Sequence, residues 1–180
     1  MDANEQEQYR AAIQGDRDAF EMIIRTQSRA LFAIAYGVLQ NREEAEDAVQ
    51  DALVKAWKSR WRVRDPEKFP AWLAMIARHR ARDVFRKRRT VPLEGNAPSC
   101  PASLTSDTTD TSALDRQLHS ALAALPELHR SALMLRYFEE MDYRGIENLL
   151  GLSNGSLRGI LGRALATMRK QLKPALASFE

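Results

Sequence analysis

Apolar positions recur along this chain at helical spacing, in two blocks separated by a polar stretch. Between Asp18 and Leu39 they fall at Phe20, Ile23, Ile24, Leu31, Ala35 and Val38, the i, i+3, i+4 rhythm of one buried helical face. A second helix is predicted behind Asn41, a residue whose side chain caps free backbone N–H groups, with Glu43 and Glu44 in the favourable first turn. Its inward positions are Ala45, Ala48, Val49, Ala52, Leu53 and Trp57. Arg60 to Lys68 reads as a basic loop, after which Pro70 opens a third helix with Trp72, Leu73, Ile76 and Val84 on one face.

Thr90–Ser112, TVPLEGNAPSCPASLTSDTTDTS, lacks apolar periodicity and has the Pro, Ser, Thr, Asp and Gly content of a flexible linker. Beyond it the helical rhythm returns at Ala113–Leu125 and again after Pro126, where Leu128, Ala132, Leu133, Leu135 and Tyr137 take the apolar positions. Ile146, Leu149 and Leu150 then point inward, Gly151 fits a left-handed helix stop and Leu152 plugs the turn. Ser153 or Asn154 caps a last helix carrying Leu157, Ile160, Leu161 and Leu165. Two short helices about a Gly-containing turn match a helix-turn-helix, although a plain helical hairpin gives the same pattern. No strand pattern occurs. The expectation is an all-α chain of two small helical domains, residues 1–89 and 113–180, joined by a linker at 90–112.

Composition adds little: of 180 residues 44% are apolar and 28% charged, with a formal net charge of +3. The distribution of charge says more. REEAEDAVQD at 42–51 is acidic, whereas Lys55 to Arg89 is strongly basic, which points to two different partners, one of them nucleic acid. Cys100 is the only cysteine, so no internal disulfide or cysteine-built zinc site can form. No apolar run approaches a membrane span or signal-peptide core, so membrane insertion is not expected and the location expected is the cytoplasm. His79, His119 and His129 are scattered, and the acidic residues Glu43, Glu44 and Asp47 spread around their helix instead of converging. Neither a cofactor, a resident metal, a small-molecule substrate nor an enzymatic activity is expected.

The segments REEAEDAVQDALVKAWKS (42–59) and FPAWLAMIARHRARDVFRKRR (69–89) resemble region 2 of the sigma-70 superfamily. LPELHRSALMLRYFEEMDYRGIENLLGLSNGSLRGILGRAL (125–165) resembles its region 4. With only a linker between them, the chain is similar to the compact extracytoplasmic-function (ECF) group. The resemblance implies a subunit that directs core RNA polymerase to promoters and assists −10 melting. It assigns Glu46, Asp47, Gln50 and Asp51 to the clamp coiled coil of the polymerase's largest subunit, whose flap is a second contact. It assigns Arg60, Trp61, Arg62, Arg64, Lys68, Arg78, His79, Arg80 and Arg86 to −10 DNA, cations holding phosphates and Trp61 stacking on an unpaired base. Asn154, Ser156, Arg158 and Arg163 would meet the −35 element. An anti-sigma factor is the further partner it implies.

The last helix departs from the family pattern. Gly159 and Gly162 stand where side chains usually meet DNA, and each costs about 1 kcal/mol of helix stability relative to Ala. Ile160 and Leu165 stand in for arginines, Glu147 takes a position that usually holds a small residue, and Gly145 is expected mid-helix. Two readings fit: a thin or altered −35 reader, or a C-terminal block turned partly to protein binding. The competing function is a sigma mimic or adaptor that binds polymerase or an anti-sigma factor without initiating. An ordinary helix-turn-helix repressor would leave the acidic helix and the basic, Trp-containing block unexplained.

Overall fold

The computed structural model describes residues 3–90 and 113–176, all helices and turns; Thr90, expected as the first linker residue, is helical, and the rest of the expected linker, Cys100 included, lies outside the described residues. α1 (Ala3–Gln14) leads into α2 (Arg17–Leu39), α3 (Arg42–Ser59) and α4 (Phe69–Thr90). The C-terminal block holds α5 (Ala113–Ala123), α6 (Glu127–Leu133), α7 (Tyr143–Leu150) and α8 (Asn154–Leu176).

The helix boundaries follow from local chemistry. Asp16 caps α2 by accepting from the Ala19 N–H at 3.0 Å, and Asn41 caps α3 by accepting from Glu44 N–H at 3.0 Å. Asp142 does the same for α7, its carboxylate accepting from Gly145 N–H at 2.8 Å. Gly145 is therefore a first-turn residue and not, as expected, mid-helix; a Cβ there would lie 2.8 Å from the capping oxygen. Gly151 ends α7 in the left-handed region (φ 66°, ψ 38°), as its sequence position predicts.

α2, α3 and α4 pack on one another and α1 closes the end of that bundle. Phe20, Ile23, Leu31, Ala35 and Val38 are buried as expected, with Ile24 partly so. From Ala30 to Leu39 almost every residue of α2 is buried, because α3 and α4 cover one side and α6 covers another. A helix apolar all round needs partners all round. One continuous apolar cluster thus runs through both blocks, and α7 also leans on α4.

One apolar assignment fails for a geometric reason. Met134–Phe138 winds as a π-helical turn, whose additional residue rotates the following side chains away from the α6 stripe. Leu135 is buried, but Tyr137, expected inward, is 55% exposed.

Candidate nucleic-acid interface

α3 turns Ala45, Ala48, Val49, Ala52 and Ala56 to the core. Asp47, Gln50, Asp51 and Val54 are exposed at i, i+3, i+4, i+7 spacing, so they form one outer stripe. Glu46 is exposed beside it, paired to Arg42 at 2.9 Å. An acidic stripe with an apolar Val54 in its run suits a basic protein surface.

After α3 the chain makes a 3-10 turn, Arg60–Arg62, buries Val63, and makes a second turn at Pro66–Lys68 capped by Asp65. Val63 and Phe69 anchor the loop in the core, which leaves the residues between them on the surface. Trp61 is 67% exposed, with the Arg62 guanidinium 5.3 Å from its ring centre. Arg60 behaves differently from its neighbours: it turns inward, lies 4.1 Å over the Trp57 ring and donates to the Trp57 carbonyl at 2.7 Å.

Beside the loop lies an open pocket of about 500 Å³. Val63, Ala71, Trp72 and Met75 form its apolar wall, and Arg62, Arg64 and Lys68 ring it together with Asp65. Trp72, read from sequence as core, is partly buried against Phe69 (ring centres 5.4 Å apart) and also faces this pocket. Met75, which the sequence reading passed over, is 46% exposed in the same wall.

Trp72, Met75, His79, Arg82 and Arg86 follow at i+3 and i+4 steps, so the pocket runs into a basic stripe along α4. His79 and Arg86 are exposed, and Arg86 is paired with Asp83. Arg80 is half-buried, its Nε making no hydrogen bond. Arg78 is mostly buried and lies 3.5 Å from Glu127; burial lowers its pKa and Glu127 opposes that shift. Arg82 meets the other Glu127 oxygen at 2.9 Å.

In the C-terminal block, α7, the Gly151 turn and α8 form the expected helix-turn-helix. Ser153 caps α8, accepting from Ser156 N–H at 3.3 Å, and its hydroxyl donates to the Ser156 hydroxyl at 2.9 Å. Asn154, Ser156, Arg158 and Arg163 are all exposed. Glu147 accepts from the Asn154 amide, so the residue that looked misplaced staples the turn to the start of α8. Tyr143 stands between Arg136 and Arg158, at 5.5 and 5.9 Å. Ile160 is buried and Leu165 packs partly against the core. Those two positions face inward, so their apolar side chains are packing and not lost phosphate contacts. Gly162 has open space at its Cβ position, while a Cβ at Gly159 would meet the Arg163 guanidinium at 3.5 Å. Burial, and then the charge of Arg163, lowers the pKa of His129.

Sigma-70 region 2 matches residues 23–91, and sigma-70 region 4 matches residues 115–168. The chain is 30% identical over 163 residues to the RNA polymerase sigma-E factor of Streptomyces antibioticus, covering 89% of this chain and 88% of that one. The chain belongs to the sigma-70 family. It is an ECF-type RNA polymerase sigma factor, with region 2 and region 4 as its two helical domains. It is also 30% identical over 175 residues to a probable RNA polymerase sigma factor, RfaY, of Xanthomonas campestris pv. campestris; that match covers 93% of this chain but 44% of RfaY. Among solved structures, the sigma factor RpoE in complex with the anti-sigma factor NepR from Bartonella quintana is similar with a TM-score of 0.58. Its identity is 26%, covering 86% of this sigma factor and 96% of RpoE.

Proposed function

We propose that this sigma factor works in the cytoplasm by three contacts, one per surface. Asp47, Gln50 and Asp51 of α3, with Glu46 and Val54 beside them, dock on the clamp coiled coil of core polymerase. The 60–68 loop and α4 engage the non-template strand at the −10 element. The N-terminal end of α8, with Asn154, Ser156 and Arg158, enters the −35 major groove, with the flap of the polymerase supporting region 4. Residues 1–89 and 113–180 are then the working units, joined through 90–112. Bond-making chemistry stays with the polymerase.

The observation that carries the −10 assignment is the pocket between Trp72, Met75 and Val63, ringed by Arg62, Arg64 and Lys68. An apolar wall under a cationic rim is what an unpaired base needs, ring against the wall and phosphate on the rim. Unpairing costs a few kcal/mol per base. Stacking returns about 1–3 kcal/mol and the phosphate contacts add to it. Trp61, exposed at the loop's tip, offers a second stacking face. Arg60 serves by holding that loop against Trp57 instead of by touching DNA. An anti-sigma partner, of the kind RpoE has in NepR, would approach across the cleft of about 780 Å³ between the domains, whose walls include Lys55, His79 and Phe85.

The test is run-off transcription with core polymerase across promoters randomised at −10 and −35, at one fixed salt concentration. Met75→Asp is expected to flatten the preference at a single −10 base, and Trp61→Ala to reduce initiation about tenfold, the low-to-middle range of one lost stack. Tight core binding with no initiation by the unmodified chain would replace this reading with the sigma mimic.

A further inference from the structure

Arg130 is a charged side chain, 5% exposed, at the seam between the two domains. Its Nε donates to the Leu122 carbonyl at 2.8 Å, and Nη2 donates to the carbonyls of Leu125 at 2.7 Å and Ala123 at 3.2 Å. The Leu122 and Ala123 oxygens lie in the last turn of α5, Leu122 also accepting from the Leu125 N–H at 3.1 Å, and the Leu125 oxygen lies in the turn that follows. Nη1 crosses to region 2 and donates to the Gly37 carbonyl at 2.6 Å. With its amide oxygen turned to the guanidinium, Gln40 accepts from Nη1 at 2.6 Å as well. Gln40 ends α2 in the left-handed region (φ 52°), so one cation sits on the negative ends of two helices from different domains.

The contact around it is close-fitted. A Cβ on Gly37 would clash with the Ser131 hydroxyl and lie 3.1 Å from the Ser131 Cα, so glycine is what lets α6 approach α2. At one edge Arg29 pairs with Glu139 at 2.9 Å. At the other, Glu127 of region 4 lies on the α4 stripe and holds both Arg78 and Arg82. A carboxylate bridging two arginines occupies them as a phosphate would.

We propose that the free sigma factor holds itself closed: Arg130 latches region 4 onto region 2, and Glu127 masks the DNA-facing arginines of α4. The masking half rests on the −10 reading above; the latch does not. Apparent affinity for −10 DNA is then the open-state affinity scaled by the open fraction. The device makes promoter binding by the free subunit weak until something separates the domains.

The full chain provides the test, in a Cys100→Ser background. At the edge of the seam an Arg29→Cys, Glu139→Cys pair replaces the partners of a 2.9 Å ion pair with two thiols within the span of a short bis-maleimide, and leaves Gly37 and Ser131 untouched. A short bis-maleimide whose spacer contains a disulfide is expected to cross-link the pair, block run-off transcription and leave far-UV helicity unchanged, with reductant cleaving the spacer and restoring activity. Glu127→Ala, at a partly exposed site, removes the carboxylate that bridges Arg78 and Arg82 without adding a cation and is expected to enlarge the radius of gyration by X-ray scattering. It should also bind a fluorescent −10 non-template oligonucleotide about tenfold tighter, the gain for a closed state near nine-tenths of the population. Failure of the pair to cross-link would overturn the latch. An expanded Glu127→Ala chain that binds the oligonucleotide no better would overturn the masking. The −10 reading fails separately, through an unchanged base preference in Met75→Asp.

Discussion

Glu147 shows how one residue can look wrong in sequence and right in place. Its position in the supporting helix usually holds a small residue because two helices meet there. Here the side chain instead reaches the first residue of α8 and accepts from the Asn154 amide, while its carbonyl accepts from the Leu152 N–H at 3.0 Å. With one of its two N–H donors engaged by Glu147, the Asn154 amide is oriented, and its carbonyl oxygen is the group suited to accept from a base amino group. Glu147→Ala is expected to blur one −35 base preference in the randomised run-off assay while leaving −10 preference intact. Glu147→Gln, which can still accept from Asn154, should restore much of it. Equal loss of preference in both variants would make the pair irrelevant to readout and leave Glu147 as charge alone. Arg158, held against Tyr143, is a neighbouring cation that this pair leaves in place.

At the level of helices, the caps were the most readable feature. Asn41 and Gly151 act in the structure as their residue types predict, because each meets a strictly local need: an acceptor for free N–H groups, and a positive φ. Asn41→Ala should cost about 1 kcal/mol and lower Tm by roughly 2–4 °C, measured by thermal denaturation; no shift would mean the acidic first turn of α3 suffices. α1 was not legible, since ANEQEQYRAAIQ is mostly polar: among its described side chains only Tyr9 and Ala12 are buried, too few to show a period. Tyr137 was misread because a π turn holds more residues than an α turn, and nothing in the run MLRYF announces it. Ile160 and Leu165 look like missing arginines only while the orientation of α8 is unknown. The pocket wall was half legible: its basic rim stood out as charge, whereas Met75 and Val63 carry no chemical mark until the loop folds over them.

The arrangement of the whole molecule was written in α2 more plainly than a one-face reading allowed. ALFAIAYGVL, Ala30 to Leu39, is apolar on every side, and a helix of a single small bundle has no use for its outer face being so. Region 4 supplies the missing partner, through α6, with Gly37 as the point of closest approach. Because the apolar cluster is continuous, separation of the domains exposes core and not merely rim, while the flanking pairs of Glu127 and Glu139 are partly accessible and weakened by salt. The two domains should therefore melt together. Calorimetry of the full chain is expected to show one transition, with calorimetric and van't Hoff enthalpies in agreement. Gly37→Val sets a branched side chain against the Ser131 backbone and should split that transition in two, since each domain keeps its own helices but loses the shared surface. Two transitions in the unmodified chain would mean that the seam is too weak to couple the domains, and the Arg130 bridge would then be a cap for α5 alone.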